Sequence, residues 1–258
     1  DDDPADAVVG EIRAAGGTAI ASRDDVADPA AAAHMVEQAV DAFGRLDGVV
    51  TNAGINRLAP FGEMSLSDFQ AIVATHLYGT VNVVHAAYAA MKRQGHGRIV
   101  MTTSQIAWEG KPDSPAYGVA KGGIDGLLAT LRLTAPADGI LVNGLAPFAF
   151  TRAAEGVFPE ALRPLLDSSQ VSALVAWLMS DGCRENGRIF IAGGGHFAVA
   201  ETRETRGIDI DDPADINAEF LAARITEITD PAEAIVYEDA MAAVGATFER
   251  LKRLAGLG

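Results

Sequence analysis

Residues 98–145 read RIVMTTSQIAWEGKPDSPAYGVAKGGIDGLLATLRLTAPADGILVNGL, and this stretch decides the fold. It opens on an apolar run of strand length, Arg98 to Thr103, passes through a helical segment from about Tyr117 to Thr134, and closes on a second run, Ile140 to Leu145. Both runs are near-continuous in aliphatic residues rather than alternating, which marks strands covered on both faces. A helix between two such strands is a crossover that leaves them parallel. The alternation extends outward. Leu46 to Thr51 reads as a strand ending at Asn52-Ala53-Gly54, followed by a long apolar helix from Ser67 to Met91. Upstream lie a helix from Asp6 to Ala15 closed by Gly16-Gly17, a short strand Thr18 to Ala21, and a helix opened by Asp28-Pro29 that runs to Phe43 and Gly44. Downstream, Pro164 to Ser180 contains a helix and Arg188 to Ala192 is the last strand. The expected class is α/β, a doubly wound parallel sheet over residues 1–196. After Gly193-Gly194-Gly195 the pattern changes. Residues 197–258 read as a helical C-terminal extension, with helices Ile216 to Ile228 and Ala232 to Leu254 opened by Asp212-Pro213 and Asp230-Pro231, packed on the domain or on a neighbour.

The 258 residues carry 20 Lys+Arg against 35 Asp+Glu, a net charge of −15, and 49% are hydrophobic. Such a chain can bury a large core, while its charge repels phosphate backbones and anionic lipid, so neither nucleic acid nor a membrane surface is an expected partner. His76, Asn82 and His85 interrupt the longest apolar stretches below the roughly 20 residues a membrane span needs. The single cysteine, Cys183, excludes an intrachain disulfide and a cysteine-based metal cluster. Asp1, Asp2 and Asp3 have the wrong charge for a secretory leader, and a cytoplasmic location is expected. His34, His85 and His96 have no spacing partner and read as surface or satisfied side chains, so no metal is expected.

Tyr117 and Lys121 stand four apart at the start of a helical stretch and project from one face. A phenol is a poor proton donor or acceptor at neutral pH, but a nearby cation stabilises the phenolate and lowers its pKa. Ser104 closes the strand before them, at the carboxyl edge where a parallel sheet presents side chains to its crevice, and its hydroxyl is placed to hold a carbonyl oxygen. Alone, a Tyr-x-x-x-Lys pair reads first as an ordinary exposed helix pair. The order Asn-Ala-Gly, strand-end Ser, Tyr-x-x-x-Lys points to a site.

That order resembles the short-chain dehydrogenase/reductase family, from Asp6 to about Gly195, which implies a Rossmann-like fold and a nicotinamide cofactor, NAD or NADP. The resemblance assigns Asp25 and Val26 to the adenine side of the cofactor and Asn52-Ala53-Gly54 to the family's Asn-Asn-Ala-Gly turn, with Thr51 in the first slot. Ser104, Tyr117 and Lys121 match its catalytic trio, and Pro147 with Thr151 its loop over the nicotinamide, with Phe148 in the glycine slot. By the family mechanism Tyr117 exchanges a proton with the substrate oxygen, Lys121 binds the ribose and depresses the tyrosine pKa, and Ser104 orients the substrate. Thr75 to Thr80, Gly97 to Ser104, Asn143 to Pro147, Cys183 to Gly187 and Thr202 to Gly207 look like the dehydrogenase domain of peroxisomal multifunctional enzymes and its bacterial relatives, which oxidise 3-hydroxyacyl-CoA thioesters, some steroid-derived. Histidine in place of the family's usual asparagine is common in that branch, which gives His76 a relay role. A homo-oligomer is implied; a hetero-oligomer is the alternative.

The family's glycine-rich phosphate loop and second strand do not precede Asp6. Three explanations are open: additional N-terminal sequence, a second chain that completes the sheet, or a degenerate copy. The rival to the enzyme reading is therefore a non-catalytic subunit that partners an active dehydrogenase, and a third reading is a carbonyl reductase acting on alcohols or steroids without CoA. Phe148 either narrows the pocket or weakens cofactor binding. Trp108 and Glu109 are expected in the pocket wall or an exposed loop, His196 in a packing role, and Cys183 as inert.

Overall fold

The computed structural model describes residues 4–151, 159–210 and 212–255. Asp1 to Asp3, which bear on the leader argument, lie outside them. The chain divides into two compact units, Asp1–Ala200 and Glu201–Gly258.

In the first unit the helices α1 (Pro4–Ala14) and α2 (Pro29–Phe43) precede the strand β1 (Gly48–Thr51). Then come α3 (Leu66–Val73), a π turn (Ala74–Tyr78), α4 (Gly79–Gln94), β2 (Gly97–Thr102), a short α5 (Ile106–Glu109), α6 (Pro115–Thr134) and β3 (Ile140–Pro147). A 3-10 turn (Glu160–Leu165), α7 (Ser168–Leu178), β4 (Ile189–Gly193) and β5 (His196–Ala200) complete it. The strands form one sheet in the order β1-β2-β3-β4-β5. The first four are parallel, in a register that sets Val50 beside Val100, Val100 beside Asn143, and Leu145 beside Phe190.

The continuous apolar run in β2 has the expected cause. Ile99 and Met101 point into a cluster with Val84 and Met91 of α4 and Ile124 and Leu128 of α6, whereas Val100 points the other way, into a cluster with Leu145, Leu178 and Cys183. Successive residues of a strand face opposite sides, so a strand buried on both must be apolar throughout. Cys183 is fully buried there, packed rather than reactive.

Three elements differ from expectation. Thr18 to Ala21 is extended but unpaired, and the Ala19 carbonyl accepts from the Arg13 guanidinium at 2.7 and 3.2 Å instead of from a neighbouring strand. The single helix expected from Ser67 to Met91 is broken into α3, the π turn and α4, because one extra residue per turn is accommodated around His76. The glycines after β4 do not end the sheet. Gly194 and Gly195, with φ of 58° and 74°, form a two-residue hairpin turn that only residues without Cβ enter readily, and His196–Ala200 returns antiparallel on β4. His196 is consequently exposed on an edge strand, not packed.

The second unit holds a 3-10 turn (Pro213–Asp215), α8 (Ala218–Ala223), α9 (Ile225–Ile228) and α10 (Ala240–Leu254). Asn217 caps α8 and Asp239 caps α10, each side chain accepting from a first-turn N–H. Helix is therefore absent from 232–239, where one was expected. Glu204 and Ile235 instead form an antiparallel bridge, with backbone bonds of 2.9 and 2.7 Å. No helix among the described residues is long and apolar enough to cross a membrane.

Two asparagine amides extend the hydrogen bonding of β3. Asn186 accepts from the Val142 N–H at 3.1 Å and donates to the Arg132 carbonyl at 2.9 Å. Asn143 donates to the Glu185 carbonyl at 2.8 Å and accepts from the Arg188 N–H at 3.1 Å. An unmade bond at a buried backbone group costs about 1–3 kcal/mol. Asn186→Ala should lower unfolding stability by about 2 kcal/mol, read as a lower urea midpoint at unchanged slope.

Candidate active site

The carboxyl ends of β1, β2 and β3 open onto a cavity of about 840 Å³ in the first unit, lined among others by Asn52, Gly54, His76, Ser104, Tyr117, Lys121, Pro147, Phe148 and Thr151. Of the residues expected to act together, the trio and His76 are thus assembled in one place. The side chain of Lys121 runs beneath the site, only 3% of the residue exposed. Its Nζ donates to the Thr102 carbonyl at 2.6 Å and lies 5.4 Å from the centre of the Tyr117 ring. The Ser104 oxygen accepts from the Ile106 N–H at 3.2 Å, which fixes the serine at the start of α5 beside the Tyr117 phenol, in the lining of the same cavity.

His76 meets Tyr117 edge-on, ring centres 5.0 Å apart at 84°. Its Nε2 is 2.8 Å from the Ile55 carbonyl oxygen and 3.1 Å from the Ile55 nitrogen. The shorter distance assigns the proton to Nε2 and leaves Nδ1 as a bare acceptor, buried without a partner. The imidazole lies so close to the Asn52-Ala53-Gly54 turn that a Cβ on Gly54 would stand 2.2 Å from Cε1. Glycine is required there for close approach, not for a turn angle. Thr80 accepts no strain in this arrangement: its hydroxyl donates to the His76 carbonyl at 2.8 Å and satisfies a group that the π turn displaces.

Burial dominates the electrostatics. It lowers Lys121 to about 8, opposed by the charge of Asp125, and it lowers His76, which is therefore neutral near pH 7. Burial also raises the Tyr117 phenol, while the Ser104 hydrogen bond pulls it back. The expected depression of the tyrosine by lysine is thus not what this structure displays, because the ammonium is engaged by Thr102 and does not touch the phenol oxygen.

A smaller cavity of about 280 Å³ shares Val50 and Asn52 with the first and is lined by Asp24, Val26, Ala53 and Thr75. Val26 is fixed there by Asn82, whose amide donates to its carbonyl at 3.0 Å. Asp25 does not reach this cavity. Its carboxylate is exposed and accepts from the Ala27 N–H at 2.9 Å, and Asp24 takes the inward position. Phe148 lines the large cavity while its ring packs against the Gly193-Gly194 turn. Trp108 and Glu109 fall on α5 outside the cavity lining. Among the described residues no His, Cys, Asp and Glu side chains cluster as metal ligands. Sequence reading missed Asp125; its one available signal was the spacing of four from Lys121.

A buried lysine carries a stability cost whose sign can be worked out. Between about 8 and 10.5 the unfolded chain holds a proton that the folded chain has lost, so stability from this group rises with pH, and below 8 the charged form weakens the fold. Lys121→Met should therefore stabilise the protein at pH 7 by on the order of 1–3 kcal/mol while abolishing turnover. The gap from the wild type should close as pH rises toward 10.5 in thermal melts.

Comparison with known proteins places these features in a family. The short chain dehydrogenase family model matches residues 1–157. A short-chain type dehydrogenase/reductase of Mycobacterium tuberculosis is 38% identical over 226 residues, covering 88% of this chain and 78% of that protein. The peroxisomal multifunctional enzyme type 2 of Mus musculus is 41% identical over 203 residues, 79% of this chain and 27% of the enzyme. The solved structure of full-length peroxisomal multifunctional enzyme type 2 from Drosophila melanogaster superposes with a TM-score of 0.83 at 29% identity, covering 97% of this chain and 44% of that one. The chain thus spans under half the length of these multifunctional relatives. With the family model matched over more than half of its length and the sheet, the strand-end serine and the Tyr-x-x-x-Lys helix all in place, the chain belongs to the short chain dehydrogenase family.

Proposed function

We propose that this oxidoreductase moves a hydride between a nicotinamide dinucleotide and a 3-hydroxyacyl-CoA or the corresponding 3-oxo thioester. The observation that carries the proposal is Tyr117, standing in the wall of the large cavity with Ser104, with the Lys121 ammonium 5.4 Å from its ring centre. The apolar part of the lining, from Leu58, Ile106, Val171, Val175 and Ala176, suits an acyl chain. A relative from Thauera aromatica, 36% identical over 141 residues (55% of this chain, 56% of that protein), is named a (2S)-[(R)-hydroxy(phenyl)methyl]succinyl-CoA dehydrogenase subunit. Its name supports a CoA thioester of a hydroxy acid as the substrate class.

The dinucleotide fits on one observation of this chain: the two cavities adjoin across Val50 and Asn52, giving one path from the Val26 side to Tyr117. Lys121, Asn52 and Thr151 would hold the nicotinamide and ribose end, and Val26 and Ala53 the other. When bound, the nicotinamide supplies or accepts the hydride. In reduction the neutral Tyr117 phenol donates its proton to the carbonyl oxygen as the hydride arrives, with Ser104 hydrogen-bonded to the same oxygen. The ammonium of Lys121 then stabilises the phenolate, and neutral His76, with its bare Nδ1, sits beside the ring as the relay that exchanges protons with it. Oxidation runs the same steps backward. The assembled trio supports catalysis over a non-catalytic subunit.

Absorbance assays with NAD and NADP against a panel of 3-hydroxyacyl-CoA thioesters and matched free alcohols test this. Thioesters should turn over and the free alcohols should not, and Tyr117→Phe should cost on the order of 10²-fold or more in kcat without unfolding the protein. Equal use of the free alcohols would replace the reading by a carbonyl reductase, and absence of turnover with any of them would remove the enzyme reading.

A further inference from the structure

We infer that Lys111 is a specificity-determining residue of the large cavity, its ammonium placed at the mouth to receive a phosphate group of the acyl carrier. The inference rests on the thioester reading for the identity of the substrate, but the charge of the cavity stands apart from it. In a chain with 35 Asp+Glu against 20 Lys+Arg, the lining of this cavity contains, among the described residues, two lysines and no carboxylate. A concave surface whose charges share one sign concentrates its field and draws in ions of the other. Here that sign is opposite to the protein's own, so the cavity attracts anions where the rest of the chain repels them.

The two lysines occupy different depths. Lys121 is almost fully buried beside Tyr117, whereas Lys111 keeps 37% of its side chain exposed and so stands where the cavity meets solvent. The backbone fixes its place. Gly110 ends α5 with φ of 75°, and the Ser114 N–H donates to the Lys111 carbonyl at 3.1 Å, closing a turn that leads directly into α6. The Ala59 N–H donates to the Asp113 carbonyl at 3.0 Å, which ties this turn to the loop that brings Leu58 to the same cavity. Asp113 forms an ion pair with Lys111 and accepts from the Ser114 hydroxyl at 3.2 Å, but is not part of the lining. An exposed pair of this kind is weak, and an ammonium has three N–H donors, so Lys111 can hold Asp113 on one side and an anion on the other.

The carrier has the matching chemistry. In a CoA thioester the acyl chain and the pantetheine arm are uncharged, and all the charge lies at the far end, in a diphosphate and a ribose phosphate. With the reacting oxygen at Tyr117 and Ser104 and the chain against Val171 and Val175, that far end belongs at the mouth. A dinucleotide also carries phosphates, but its path crosses Val50 and Asn52 into the smaller cavity, which Lys111 does not line.

Steady-state kinetics of the full chain with one 3-hydroxyacyl group, presented as its CoA thioester and as its pantetheine thioester, read this contact, since the second carrier lacks every phosphate. The wild type should favour the CoA form in kcat/KM. Lys111→Gln should cut that preference about fivefold, nearly all of it in KM, because a contact so far from the reacting atoms is equal in ground and transition states. Lys111→Arg should restore most of it, and added salt should shrink it in the wild type. Asp113→Asn should act in the opposite direction and lower KM for the CoA form, because it leaves the lysine uncompensated while the Ala59 bond and an acceptor for Ser114 remain. A lysine that only braces the turn would give losses of one sign in both variants and with both carriers. That result, or equal use of the two carriers by the wild type, overturns the inference. So does a rise in KM for the dinucleotide in place of the thioester, which would assign Lys111 to the cofactor phosphates. Calorimetric titration with free CoA needs no turnover. If CoA binding weakens in Lys111→Gln but the wild type turns over no thioester, the anion site stands and the oxidoreductase reading falls; turnover with a CoA affinity unmoved by Lys111→Gln sinks the role of Lys111 alone.

Discussion

A single buried cation sets the terms for the first unit. The ammonium of Lys121 sits almost out of contact with water and spends its one short hydrogen bond on the carbonyl that ends β2. For that bond to exist, β2 must be central, α6 must cross close over it, and the helix must begin early enough to bring Tyr117 above the strand end. Each requirement is met by apolar packing. Ile124 and Leu128 bind α6 to Ile99 and Met101, and the small surface of Gly123, whose added Cβ would stand 2.9 Å from Leu77, lets the π turn press against the same helix. The hydrophobic core therefore does more than hold the unit together. It supplies the energy that keeps a charge where water would not leave it.

The fold was legible in the sequence where packing on two faces dictated composition. β2, β3 and α6 were readable from residues 98–145 because a central strand cannot tolerate polar alternation and because Tyr117 and Lys121 announce their shared face by spacing alone. Legibility failed where the deciding contact was not local. Whether Thr18 to Ala21 forms a strand depends on a neighbouring ladder, and the Arg13 guanidinium takes the Ala19 carbonyl instead. β5 was hidden for another reason: three glycines read as the end of a pattern, although two positive φ values in succession are what a tight hairpin needs. Asp239 outcompetes Asp230 as the start of α10 through contacts that composition does not rank, since both carboxylates accept from a nearby N–H.

The site was legible to a comparable degree and for comparable reasons. Ser104, Tyr117, Lys121 and His76 came together because strand ends and one helix face fix their directions. Asp25 did not, because an exposed aspartate finds a partner two residues along its own chain more cheaply than across a cavity, and Ala27 provides one. The direction of the Tyr117 shift was also beyond sequence. Residue types tell which groups can influence a phenol, but the sign depends on whether desolvation or the neighbouring cation is stronger, and with Nζ bound to Thr102 the desolvation wins.

His76 and Lys121 are two solutions to one difficulty, the introduction of ionisable groups into a dry site. The imidazole avoids the cost by remaining neutral, with Nε2 tied to Ile55 and Nδ1 buried without a hydrogen-bond partner. Lysine cannot serve in that form, since only its ammonium stabilises a phenolate. Its charge is held by the short bond to the Thr102 carbonyl at the end of β2, so the cost of keeping an ammonium out of water falls on the packing of Ile124 and Leu128 of α6 against that strand, at a position where an apolar residue would pack more favourably.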